Sequence, residues 1–236
     1  MFWLVENNEQ LQQLKDKNFK KVFIEPIWSN DNLHPACAGI QGFYIREINY
    51  RKGFVVVVEH SEATSCDLDK VYELIGSYEE IFVRDKKEFL HIVPLKQLSD
   101  IYFISPTDIP DQFPCHDFFY RKYPHIANIG SIIPVVKHYE RCETIYDAVK
   151  HVFTIDKPEH FEFYNNKATN VFYWVESMGL KVDPKLFEEH FGVEREWTYS
   201  QFNLKTTTTR PSNSFGGVNY AALDKKSGCR EAFIPD

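Results

Sequence analysis

Residues 206–223 read Thr-Thr-Thr-Thr-Arg-Pro-Ser-Asn-Ser-Phe-Gly-Gly-Val-Asn-Tyr-Ala-Ala-Leu, and residues 227–235 read Ser-Gly-Cys-Arg-Glu-Ala-Phe-Ile-Pro. Hydroxyls, amides and a guanidinium are the groups that reach phosphate oxygens and groove-edge acceptors. The paired Gly216 and Gly217 let backbone pass close to a ligand or to another chain. Thr208, Ser212 and Asn213 are therefore candidate phosphate contacts. The plain alternative is a polar surface loop beside an edge strand.

The ordered run resembles the segment that precedes the first catalytic carboxylate in family A DNA polymerases, most closely the phage versions. Those carry Thr-x-Thr-Gly-Arg-Pro-Ser-Asn, then Gly-Gly-Ile/Val-Asn-Phe-Ala-Ala-Leu, then Gly-x-Arg-x-Ala-Phe-Ile. Thr209 stands where that family has Gly. The resemblance implies that Arg210 reaches the minor-groove side of a primer terminus. The N3/O2 acceptors there occur on every base pair, so an Arg can test geometry without reading sequence. It also implies that Asn219 lies near the template strand and that Arg230 is a basic position ahead of the catalytic strand. Residues 170–187, with a helix stop at Gly179 and an Asp183-Pro184 start, are similar to the family's entry into the polymerase domain.

The same resemblance implies a 3′–5′ exonuclease domain upstream, built on a ribonuclease-H-like sheet. Such enzymes use two metal ions about 4 Å apart, held by carboxylates. The family supplies Asp-x-Glu on the first strand, then Asn-x-x-x-(Phe/Tyr)-Asp, then Tyr-x-x-x-Asp. Here the first strand offers Glu25 alone. Set on the family Glu it leaves Phe23 at the Asp; set on the Asp it leaves Ile27 at the Glu. Lys86-Lys87-Glu88-Phe89-Leu90 is the best second match, with Lys86 at the Asn and Leu90 at the Asp. Tyr139-Glu140-Arg141-Cys142-Glu143 keeps the third as Tyr-x-x-x-Glu. Two acids and a nearby lysine hold a cation pair poorly, so loss of nuclease activity is expected. Glu25 then reads as a strand-end residue and Glu143 as a solvated helix residue.

The resemblance further implies that the magnesium-binding aspartates of nucleotidyl transfer lie beyond Asp236. No catalytic residue, metal ligand or cofactor is assigned to this chain alone; magnesium belongs to a complete polymerase. The expected partners are primer–template DNA and a C-terminal polymerase fragment if the enzyme is naturally split. The rival readings are an active metal-dependent 3′–5′ exonuclease with unusual ligands and a non-enzymatic interaction module.

Composition bounds these readings. The 236 residues are 43% hydrophobic and 26% charged, ordinary for a globular protein. Twenty Phe and thirteen Tyr point to an aromatic core. The net charge of −7 is unhelpful for a DNA binder, but residues 205–236 carry five basic against three acidic side chains, leaving −9 on the rest. Any DNA contact is therefore expected from the tail. The five Cys form no C-x-x-C pair, which argues against zinc and against a disulfide framework, and a reducing cytoplasm is the simpler setting. No apolar run is long enough to span a membrane, and the N-terminus does not read as a signal peptide. No H-x-x-x-H pair, Walker loop or Rossmann glycine run is present. His34 and His116-Asp117 are expected to face solvent, and Cys142 with His138 to pack in the core.

The elements that must position these residues follow from periodicity. Strands are expected at 1–5, 21–27 (stopping near Pro26), 40–50, 53–59 and 80–84. Helices are expected after Asn7 or Asn8, after Asp67 and after Asp85, with a long amphipathic helix over 134–153. Residues 154–166 read as a linker. The fold class is α/β: a ribonuclease-H-like, DnaQ-type mixed sheet flanked by helices over residues 1–155, then a small helical and palm-start segment over 156–236.

Overall fold

The computed structural model describes residues 3–28, 34–36, 38–59, 64–105, 132–206, 211–213, 223–224 and 226–234. Its centre is a six-stranded mixed sheet. Strands β1 (Trp3–Val5), β2 (Lys21–Trp28), β3 (Ile40–Glu47), β4 (Phe54–Val57), β5 (Glu80–Val83) and β6 (Leu98–Asp100) lie in the order β1-β4-β3-β2-β5-β6. β2, β3 and β4 form an antiparallel meander; β5 joins β2 in parallel and β6 joins β5 in parallel. Leaving aside the edge strand β1, which runs parallel to β4, this is the ribonuclease-H-like sheet, with the first meander strand at its centre.

Local chemistry explains the element starts. Asn7, Asp67 and Asp85 each turn a side-chain oxygen onto a free amide at the head of helices α1 (Asn8–Lys15), α2 (Leu68–Gly76) and α3 (Lys86–Leu90). Asp100 does the same for the single turn α4 (Ile101–Ile104). The long helix α5 spans Ile132–Val149 and tightens into a 3-10 turn at Lys150–Thr154.

Period two along the strands sends their side chains into two cores. Val22, Ile24, Phe43, Ile45 and Val56 face α1, α2 and α3, where Leu11, Leu14, Val71, Leu74 and Phe89 meet them. Phe23, Ile27, Tyr44, Val55 and Val57 face the other way, onto Cys142, Ile145, Tyr146 and Val149 of α5. β4 is buried along its whole length, as its β-branched run requires. Two small differences from the sequence reading concern boundaries. β2 continues through Pro26 to Trp28, because Pro26 has no N–H to give the ladder and a register shift follows it at Ile27/Trp28. Residues 154–166 are not all linker: a π-helical turn, Phe163–Ala168, runs into helix α6 (Thr169–Met178). Cys142 and His138 are buried, as expected.

A smaller cluster lies in the following segment. Asp183 caps helix α7 (Pro184–Phe191), whose Phe187 packs with Val182 and Ala232. Val182 bridges Phe233, and Leu180–Lys181 (β7) pairs with Trp197–Thr198 (β8). Phe202–Asn203 (β9) pairs with Ser212–Asn213 (β10). Among the described residues no helix is long and apolar enough to cross a membrane.

Two glycines give opposite expectations. A Cβ on Gly42 would stand 2.5 Å from the backbone oxygen of Val56 on the neighbouring strand, whereas one on the exposed Gly76 meets only a Leu95 methyl at 3.9 Å. Gly42→Ala should therefore lower the chemical-denaturation free energy by about 1–3 kcal/mol. Gly76→Ala should be neutral or raise it by up to about 1 kcal/mol, through helix propensity.

Candidate functional site

The parallel strands β2, β5 and β6 all end at one edge of the sheet, and the charged residues collect there. Glu25 sits opposite Tyr44 in the β2–β3 ladder and shares a face with Phe23 and Ile27. It is not a strand-end residue: it is 3% exposed, in the middle of β2. A carboxylate so placed needs a cation, and it has two. Arg84, just past β5, sets its Nε 2.9 Å from both Glu25 oxygens and brings Nη2 onto Oε1; Arg141 of α5 brings Nη2 to 3.9 Å of Oε1. Guanidinium on carboxylate is among the strongest charge-assisted pairings available to side chains.

Glu143, one turn beyond Tyr139, is not solvated either. It accepts from the Tyr44 hydroxyl at 2.7 Å, Arg46 Nη1 at 2.6 Å and the Gly53 amide at 2.9 Å. Burial first, then the Glu143 charge, raises the Tyr44 hydroxyl far above the ordinary phenol range and Tyr139 to about 12. Arg46 also lies flat on the Tyr146 ring, 3.8 Å from its centroid. Gly53 is glycine for a local reason: a Cβ there would fall within 2.5 Å of the Tyr44 ring.

These surroundings answer whether a metal pair fits. Both surviving acids have their oxygens turned onto guanidinium, phenol or amide donors, so a divalent cation would have to displace them against charge repulsion. The remaining motif positions agree. Leu90 is packed in the core beneath the sheet, and Lys86 is buried, its Nζ donating 2.7 Å to Asn166 Oδ1. Burial lowers the Lys86 ammonium to about 8. Glu25, Lys86, Leu90 and Glu143, as placed here, do not fit a two-metal nuclease centre.

A second charge group at the same edge escaped the sequence reading. Asp85 and Asp100 each spend one oxygen on a helix cap: Asp85 Oδ1 accepts from the Glu88 amide and Asp100 Oδ1 from the Tyr102 amide. Asp100 Oδ2 also accepts the Lys86 amide at 2.9 Å. Their free sides converge on Lys205, whose Nζ lies 3.2 Å from Asp85 Oδ2 and 3.7 Å from Asp100 Oδ2 and donates to the Arg84 carbonyl. Burial raises Asp100 to about 6 and Glu88 to about 7, with the Asp85 charge adding to both. Asp85 itself falls to about 2: burial opposes this, but the Lys205 and Lys87 charges prevail.

A third group centres on Glu176 of α6, fully buried. It accepts from Lys87 Nζ at 2.8 Å and from the Phe202 amide at 2.5 Å; His91 Nε2 is 3.5 Å away and His34 Nε2 4.0 Å. His34, expected at the surface, is buried and stacks on Tyr199. His34, His91 and Glu176 have the composition of a metal centre, but their hydrogen bonds tell against one. His34 Nδ1 accepts the Ala36 amide, so its proton sits on Nε2, where it meets the Ser200 carbonyl at 3.1 Å; Lys87 already neutralises the carboxylate. Burial, with the neighbouring His91, lowers His34 to about 4 and keeps it neutral. The group is an ion-pair joint between α3, α6 and residues 200–202.

Of the tail positions, Ser212 and Asn213 form the short strand β10, and Ser212 is exposed. Arg230 lies exposed in the 3-10 turn Cys229–Ala232, with Nη2 donating 3.1 Å to the Leu223 carbonyl. Thr208, Arg210, Asn219 and the His116-Asp117 pair lie outside the described residues.

No protein-family model matches the sequence, and no curated protein does. Solved structures similar to it include RNase D of Escherichia coli, an exoribonuclease involved in structured RNA processing (8% identity over 75% of this chain and 47% of that one, TM-score 0.41). The EXO domain of Aedes aegypti Nibbler is similar at 10% identity over 72% of this chain and 94% of that one, TM-score 0.41. The POL domain of Pol1 from M. smegmatis is similar at 12% identity over 79% and 34%, TM-score 0.46. The chain thus spans about half the length of RNase D and about a third of that polymerase structure. The strand order above, rather than these distant likenesses, carries the fold assignment.

Two outcomes follow from the geometry. Arg84→Met leaves Glu25 buried with one distant partner and should lower stability by about 3–5 kcal/mol; adding Glu25→Met should recover most of it, as measured by urea unfolding. Glu88, raised in the folded state, favours its protonated form there, so its ionisation weakens the fold as pH climbs through about 7. Wild type should therefore lose melting temperature relative to Glu88→Gln between about pH 5.5 and pH 8; a constant gap would contradict the assignment.

Proposed function

We propose that this chain is a nuclease-silent, nucleic-acid-holding portion of a family A type DNA polymerase. Its exonuclease-like body supports the tail that contacts primer–template DNA. The observation that carries the first half is the Glu25 arrangement: two arginines stand where a nuclease centre needs divalent cations. Supporting it, Glu143 is consumed by Tyr44, Arg46 and Gly53, and Lys86 projects an amine from the second motif position.

The second half rests on the ordered tail residues and their charge. The tail is net positive against an acidic body, and Ser212 of β10 is exposed to solvent. Arg210 and Arg230 supply the phosphate- and groove-directed cations, with Thr208 and Asn219 as polar contacts. In this reading the aspartates that hold magnesium for nucleotidyl transfer come from a C-terminal polymerase portion, and this chain binds no cofactor by itself.

The test has two arms. Incubated with end-labelled single-stranded DNA and Mg2+ or Mn2+, the protein should leave the label on full-length strands. Fluorescence anisotropy with primer–template DNA should show binding that weakens as salt rises. Arg210→Ala and Arg230→Ala should each flatten the slope of log K against log salt by about 0.9. Metal-dependent shortening that Glu25→Gln abolishes would instead establish an active exonuclease. No salt-dependent binding would leave an interaction module.

A further inference from the structure

Gln201, Leu204 and Lys205 touch the nuclease-like body, and Phe202 touches α6. Gln201 Nε2 reaches Glu88 Oε1 at 3.4 Å. The Phe202 amide donates to Glu176, and its ring meets Phe172 at 5.2 Å. Leu204 packs against the α5-side core. Lys205 closes the run. Its amide donates to Asn203 Oδ1 at 2.8 Å, and its ammonium passes 5.6 Å from the centre of the Tyr102 ring into the gap between Asp85 and Asp100.

That gap has a definite chemistry. Asp85 and Asp100 are each held by a capped amide through Oδ1, so their Oδ2 atoms are fixed in direction and face a common point. Two carboxylates held this way repel unless a cation stands between them. The cation comes from the chain itself, and its carrier is the residue that leaves the ladder of β9. The strand paired with β9 is β10, which carries Ser212 and Asn213.

We propose that Lys205 is a positioning residue for nucleic-acid binding: its ammonium is a tethered cation that fixes the β9–β10 ribbon to the acidic edge of the sheet. The positioning role rests on the nucleic-acid reading given above; the tether itself does not. The edge that supplies divalent-metal ligands in a working nuclease of this fold thereby becomes, in this chain, a dock for its own tail. Burial opposes the Lys205 charge, and Asp100, Asp85 and Glu88 together more than offset it, so the amine stays protonated across the working pH range.

Lys205→Met keeps the length and apolar stem of the side chain and removes the charge. Amide hydrogen exchange on the full chain should show protection at Asn203 and Asn213 falling at least about tenfold, while Ile24 and Ile45 in the central strands keep theirs. Affinity for primer–template DNA should fall about tenfold in parallel. Should Lys205→Met unfold the whole chain, Lys205→Met combined with Asp85→Asn and Asp100→Asn removes the repelling acids as well. That variant should keep central-strand protection and still lose the ribbon's. Retained ribbon protection in a folded variant overturns the tether. Lost protection with unchanged DNA affinity overturns the positioning role. If wild type binds no DNA, the reading of function fails, while the exchange data still decide the tether.

Discussion

Burying Glu25 in the central strand of the sheet sets a condition the rest of the charged edge must satisfy. An unpaired carboxylate there would cost several kcal/mol of desolvation, so a cation has to lie beside it in every folded molecule. In a metal-dependent nuclease that cation is exchangeable and does chemistry. Here it is Arg84, covalently fixed at the end of the neighbouring parallel strand, with Arg141 from α5 behind it. A guanidinium can neutralise an acid but offers no open coordination position for water, and it cannot leave. A cation fixed in this way holds the shape of the strand ends around Glu25.

The same replacement extends along the edge. Arg46 stands on Glu143, Lys87 on Glu176 and Lys205 between Asp85 and Asp100. Each cation comes from a different element from its acid, so the pairs act as cross-links between elements. They join β3 to α5, α3 to α6, and the segment after β9 to the caps of α3 and α4. Salt bridges of this kind add little net stability over apolar packing, but they are directional. Direction is what a chain with an exposed β10 needs if that strand is to point the same way in every molecule.

Much of the sheet was legible because its signals are local. The β-branched run Val55–Val58 marked a central strand, Asn7, Asp67, Asp85 and Asp183 marked helix starts, and both cores follow period two or 3.6. The elements that misread were those where tertiary contacts override local signals. Pro26 sits inside a strand because the ladder can spare its missing donor, and His34 is interior because the nearby Ala36 amide and the distant Ser200 and Tyr199 satisfy it. The motif spacing singled out Glu25, Lys86, Leu90, Tyr139 and Glu143 for attention. It could not show Arg84, Arg141 or Lys205 as replacements, because no spacing rule links residues 59, 116 or 120 positions from their partners.

Asp85 and Asp100 show why such sites hide. Each reads as a helix cap, and each is one: the cap uses Oδ1. A carboxylate has two oxygens with several lone pairs, so the second can face a long-range cation, even where, as in Asp100, it also accepts the Lys86 amide. Sequence reasoning stops once a residue has one sufficient role. A cap aspartate at the C-terminal end of a parallel strand therefore warrants a second question, namely which cation its outer oxygen faces. In this chain the outer oxygens face a lysine on the segment that leads into β10, so the acids at the sheet edge and the order of the tail are parts of one electrostatic arrangement.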